Sequence, residues 1–209
     1  AMSIMDVILN PPTIPTNIKG EIKRTMRSFL SFTDFLLQVL YIILKDNNIT
    51  PSNLQEFFKP DNLRTTFKFY EKHYDAKSFI ETMFKYKVIL DWAVVRIDGQ
   101  GDYDLAMAKS ENSCLQQYEA MLFASSSRDT YYQWVPFVLT TVMNGIIDEK
   151  SILEALKQKD NKNHPFPNEC SFAYKSFDNY YFRRLDYYLW EQIIGENKKS
   201  ANLFSKEIP

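Results

Sequence analysis

Phe35-Leu36-Leu37-Gln38-Val39-Leu40-Tyr41-Ile42-Ile43-Leu44 is the most apolar run of the chain, and its reading decides the fold. It is about half as long as a membrane span needs to be, and Gln38 sits inside it, so it reads as a buried helix of a globular core. It also lies too far from the N-terminus to be the apolar region of a signal peptide. Working outward, Ile22, Met26, Phe29, Leu30, Leu36, Leu37, Leu40, Ile43 and Leu44 keep a spacing of three to four. This predicts helix from Glu21 onward, with Ser31 or Thr33 as a cap if it breaks there. Asp46-Asn47-Asn48 stops it.

The same periodicity continues downstream. Thr50-Pro51 reads as a helix start leading into Leu54, Phe57 and Phe58. After Pro60 a helix runs through Leu63, Phe67 and Tyr70. Asp75 caps another, with an expected core face of Phe79, Ile80, Met83, Phe84, Val88, Leu90 and Trp92. Asp98-Gly99-Gln100-Gly101-Asp102 is the clearest loop. Helices are expected over 111–125, 130–144 (capped by Asp129, bent or begun at Pro136, ended by Gly145) and 149–159 (capped by Asp148). Residues 160–170 read as a loop. The last helix, about 178–194, is expected to be capped by Asp178 and ended by Gly195. Its apolar stripe Phe182, Leu185 and Leu189 is expected to pack on the helix containing Phe35 to Leu44. No strand pair with a turn signal is visible. The expected fold is therefore all-α: an irregular bundle of about seven to nine helices over 21–195, with an extended arm at 1–20 and a tail at 196–209.

The chain has 209 residues, 45% of them hydrophobic, enough to bury a real core as one domain. With 25 Lys+Arg against 26 Asp+Glu its net charge is -1, so the basic excess of a duplex-binding surface is missing. Phe, Tyr and Trp make up 15% of the chain while Gly numbers only 5, which argues against a fold built on phosphate-cradling turns. Cys114 and Cys170 cannot form a disulfide framework, which fits a reducing cytoplasm. Ala1 precedes Met2 and reads as a residue added in cloning, on a chain cut from a longer protein.

No catalytic constellation emerges. His73 and His164 lie far apart without His or Cys at ligand spacing, and both read as solvated surface histidines. Arg64 to His73 is too long a gap for a helical ribonuclease of the HEPN type. Gly99-Gln100-Gly101 has no third glycine and no following Lys-Ser/Thr, and Ser125-Ser126-Ser127 has no nucleophile-elbow context. Glu111, Glu119, Asp186 and Glu191 read as solvated helix faces. No catalytic, cofactor-binding or metal-ligating residue is assigned. One segment is unusual: nine of the twenty residues from Ser171 to Trp190 are aromatic. They could stack on bases, with Lys175, Arg183 and Arg184 on phosphates. Helical spacing favours packing instead, with Asp186 and Glu191 neutralising both arginines, so nucleic acid is expected to bind weakly.

Four stretches in succession carry a resemblance. They are Phe79 to Arg96 (FIETMFKYKVILDWAVVR), Gln116 to Leu122 (QQYEAML), Tyr132 to Leu139 (YQWVPFVL) and Tyr180 to Glu191 (YYFRRLDYYLWE). Together they resemble the helical middle of the GmrSD-like bacterial phage-defence and modification-dependent restriction proteins, over roughly residues 25–195. Such proteins join an N-terminal ParB-like nucleotide-binding domain to a C-terminal HNH nuclease domain. Asp98-Gly99-Gln100 looks like the start of the ParB-like Asp-Gly-Gln-Gln-Arg motif. However, Gly101-Asp102 replaces Gln-Arg and a helix is expected before it, so the likeness is a loop coincidence. The HNH metal site has no counterpart. The resemblance therefore implies a non-catalytic connector, with the flanking domains of its parent chain as partners and no membrane. The alternative is a free-standing helical module that binds protein or nucleic acid.

Overall fold

The computed structural model describes residues 26–109, 113–125, 128–165 and 179–197. Among them lie eight α-helices: α1 (Phe32–Asp46), α2 (Leu54–Phe57), α3 (Leu63–Phe69), α4 (Ala76–Ala93), α5 (Cys114–Ala124), α6 (Arg128–Met143), α7 (Glu149–Asn163) and α8 (Asn179–Asn197). Strands β1 (Arg27–Ser28), β2 (Arg96–Ile97) and β3 (Tyr103–Asp104) form a small antiparallel sheet in that order. The protein is an irregular, predominantly helical bundle, as the periodicity predicts. The expected arm at 1–20, the tail beyond 197 and the Asp178 cap lie outside the described residues.

Side-chain caps set most helix starts. The Ser31 hydroxyl accepts the Asp34 N–H at 3.1 Å and donates to the Asp34 carboxylate at 2.7 Å. Asp75, Ser113 and Asp148 accept in the same way from Ser78, Gln116 and Ser151. Each satisfies an orphan donor of a first turn. Several starts differ from expectation: α5 begins at Cys114 rather than 111, and α6 begins at Arg128, so Asp129 lies inside it rather than capping it. Of the helix expected from Glu21, residues 21–25 lie outside the described residues, Arg27–Ser28 is extended against Ile97 and Arg96, and α1 begins at Phe32. Asn53, rather than Thr50, caps α2, and Pro51 is buried ahead of it. At the other ends, Asn48 (φ 60°) closes α1 and Gly145 (φ 94°) closes α6 in left-handed conformations. In α6 the Ile146 N–H reaches back to Thr141 and the Gly145 N–H to Val142, so the last carbonyls are satisfied. Helix α8 instead passes through Gly195 to Asn197.

The core is organised around α6, which packs against α1, α4, α5 and α7. Val135, Val138, Leu139 and Val142 of α6 are fully buried, as are Leu37, Val39, Leu40 and Leu44 of the opening apolar run. Pro136 cannot donate inside α6, and the Thr140 hydroxyl donates back to its carbonyl at 2.8 Å. The expected face of α4 is corrected. Phe79, Tyr86, Ile89, Leu90 and Ala93 point inward, and Ile80 and Phe84 are exposed.

The sheet overturns the expectation that no strand pair exists. β2 and β3 flank the loop already picked out at 98–102, and Asp98 Oδ1 accepts the N–H groups of Gln100, Gly101 and Asp102 at 2.8–2.9 Å. A strand, not a helix, thus leads into Asp98-Gly99-Gln100. Strands of two residues are too short for alternation to register in a sequence.

The last helix also departs from expectation. It rests on α5 rather than α1, and its stripe faces solvent: Phe182 is 54%, Leu185 48% and Leu189 50% exposed. A denaturant titration should separate the two kinds of leucine. Leu40→Ala should lose roughly 2–5 kcal/mol, whereas Leu185→Ala should change the stability of the monomer by less than about 0.5 kcal/mol.

Candidate functional site

Helix α8 is amphipathic in the inverse sense. At about 100° per residue, Tyr180, Arg184, Tyr187 and Glu191 fall on one side, and Phe182, Leu185, Leu189 and Ile193 on the opposite side. The polar side is turned inward: Tyr180, Arg184 and Tyr187 are buried, together with Trp190. An arginine is buried only where anions and acceptors receive it.

Asp160, on α7, is that receiver. Its Oδ2 accepts the Tyr118 hydroxyl of α5 at 2.6 Å and the Tyr180 hydroxyl of α8, and its Oδ1 lies 3.2 Å from His164 Nδ1. Arg184 Nε faces the same carboxylate at 3.6 Å, while Arg184 also donates to the His164 carbonyl at 2.8 Å. Burial alone would push the Asp160 carboxyl up. Hydrogen bonds from His164, Tyr118 and Tyr180, with the Arg184 charge, outweigh it and hold Asp160 below the usual carboxylate range. The same burial and the same carboxylate push both tyrosines far up, so they remain neutral donors.

A second ionic contact ties α7 to α8 further along. Lys157 Nζ donates to both Glu191 oxygens at 2.6 and 2.7 Å and lies 4.9 Å from the Tyr187 ring centre. Tyr187 Oη is 3.0 Å from Glu191 Oε1 and 3.2 Å from the Cys114 carbonyl, so its one proton serves one or the other.

Glu119, on α5, differs in kind. It is fully buried, Oε2 accepts the Val95 N–H at 2.7 Å, and Oε1 has no hydrogen-bond partner. Burial holds its carboxyl well above the usual range, and the N–H it accepts from Val95 ties α5 to the entrance to β2.

The residues named from sequence are redistributed by this geometry. Lys175 lies outside the described residues. Arg184 is withdrawn from any interaction surface because it is fully buried against Asp160. Arg183 is half-buried and forms no ion pair among the described residues, so neither Asp186 nor Glu191 neutralises it. Glu191 belongs to Lys157, Glu111 lies outside the described residues, and Asp186 is an exposed helix-face carboxylate as expected. Glu119 is buried rather than on a solvated helix face. The loop expected from 160 starts later, because α7 continues to Asn163 and buries Asp160. His73 is exposed as expected, but His164 is half-buried at the end of α7. Sequence did carry one signal for Asp160, the Asp-to-His spacing of one helical turn.

His164 and Asp160 form a hydrogen-bonded dyad, yet no Ser, Thr or Cys side chain among the described residues is bonded to that histidine. No group of three or more His, Cys, Asp or Glu among the described residues could hold a metal ion. No helix among them is long and apolar enough to cross a membrane. No family model matches the chain, and neither a curated protein nor a solved structure matches it.

Two tests follow from the opposite carboxylates. Asp160→Leu should lose roughly 3–5 kcal/mol by leaving Arg184 uncompensated, and adding Arg184→Met should give a loss well below the sum of the two singles. Urea titrations of the three variants check this cycle. The Asp160 value is depressed, so its contribution is present above the ordinary carboxylate range and is lost as pH falls through the folded value. For Glu119 the folded value is raised, so wild type loses stability as pH rises from about 4.3 through that value. Glu119→Gln should remove this slope, so that its melting temperature gains on wild type as pH is raised above about 4.3.

Proposed function

We propose that the chain is the non-catalytic helical connector of a GmrSD-like modification-dependent restriction or phage-defence protein, coupling a nucleotide-binding domain to a nuclease domain. The observation that carries this reading is the Asp160 cluster, in which one carboxylate ties together side chains of α5, α7 and α8. Its ionisable groups are turned toward one another, an arrangement suited to holding elements in fixed relation. The succession of segments from Phe79 to Glu191 supports the same assignment.

The burial of Arg184 weighs against the alternative of a nucleic-acid-binding module, since a guanidinium held by Asp160 cannot also hold a phosphate. Binding of single-stranded DNA at physiological salt should be no tighter than the ~10⁻⁴–10⁻⁶ M of non-specific association.

Two experiments test the proposal. The native reading frame should continue on both sides into a nucleotide-binding and a nuclease domain. A frame that starts at Met2 and stops after Pro209 would overturn the connector reading. The purified chain should hydrolyse neither nucleoside triphosphates nor modified DNA in the presence of Mg²⁺. Turnover that follows the protein through successive columns would show that it is an enzyme.

A further inference from the structure

The inversion of α8 leaves its apolar residues on the wrong side for a monomer. Phe182, Leu185, Leu189 and Ile193 are each about half exposed, at 54%, 48%, 50% and 54%. They lie within roughly 80° of arc on the helix surface, the seam width seen where one helix packs along another. We infer that this stripe pairs with the same stripe of a second copy, the two α8 helices lying antiparallel across a two-fold axis near Tyr187.

Three features of the helix fit a copy of itself. The stripe is nearly palindromic: reversing α8 about Tyr187 exchanges Leu185 with Leu189 and brings Phe182 to within one residue of Ile193. A two-fold interface needs this property, because the same patch must serve both partners. Charge is complementary in the same register. Asp186 borders the stripe, Arg183 lies nearly a turn earlier on that side, and neither is in an ion pair among the described residues. Reversal sets the Asp186 of each copy within reach of the Arg183 of the other. The exposed Ile80 and Phe84 of α4 have no such symmetry.

Area sets the strength. A fully bare aromatic side chain presents roughly 150–250 Å² and a leucine or isoleucine less, so the four half-exposed ones contribute on the order of 300–400 Å² per copy. With the partly buried Tyr181 and Tyr188 at the rim, the pair would bury about 800–1,000 Å², below the ~1,600 Å² of a standard interface. The dimer is therefore reversible, with a dissociation constant of about 10–100 μM. This inference does not depend on the connector reading, because it concerns the isolated chain.

Sedimentation equilibrium of the 209-residue chain should show monomer and dimer exchanging across that concentration range. Leu185→Lys with Leu189→Lys places charge on surface already exposed in the monomer. It should keep the helical circular dichroism and weaken dimerisation by roughly 100-fold or more. Arg183→Asp alone should weaken the dimer, and Arg183→Asp with Asp186→Arg should restore it. That exchange keeps the test decisive even if the double lysine variant does not fold. A chain that stays monomeric well above 100 μM would overturn the inference and give the stripe to another occupant, such as the segment Ile4 to Leu9, apolar except for Asp6, or a flanking domain. A dimer that survives both sets of substitutions would overturn it by locating the contact elsewhere.

Discussion

The structure depends on one buried carboxylate. Asp160 draws the hydroxyls of Tyr118 and Tyr180, the His164 ring and the Arg184 guanidinium to a single point between three helices. Each of these groups would be costly to bury alone, and together they are tolerated only in one arrangement. Apolar contacts between α5, α7 and α8 could slide or rotate with modest loss. A charge that must meet four partners cannot. The cluster fixes the rotation of α8 about its own axis, and through that rotation it decides which side chains the domain presents to the outside.

That decision is why the last helix departs from what its periodicity predicts. A 3.6-residue period shows that a helix has an apolar side, and on its own it cannot say which side is buried. The usual assumption that the apolar side faces in holds for α1, where Leu37, Leu40 and Leu44 are fully covered. It fails for α8, where ionic and aromatic groups find a better-matched environment inside than the leucines do. The second of the adjacent arginines, Arg184, held the clue, but its partner lies on α7 in a stretch that sequence rendered as loop. A polar contact between distant elements leaves no periodic trace in either one.

Local features were far more legible. Ser31, Asp75 and Asp148 act as caps because they need only a backbone N–H three residues ahead, a relation written entirely in neighbouring positions. The loop at 98–102 was equally plain, being dense in Asp and Gly. The strands on either side of it were not, since two residues cannot display an alternation. Glu119 shows the same limit from the electrostatic side. Its solvation is set by Val95 and the walls around it rather than by anything within a few residues of its own position.

The small sheet has a consequence for how the chain assembles. Arg27 pairs with Ile97, so β1 and β2 meet only after α1, α2, α3 and α4 have been placed between them. Closing that long loop sacrifices chain entropy before the few ladder bonds give anything back. The hairpin at Asp98 and the capped helices have short loops and can form early. The pairing of Arg27–Ser28 is therefore expected late in folding, together with the seating of the Phe29 ring on Phe123 and Trp134. On this reasoning Arg27–Ser28 is a late-closing latch on the helical body.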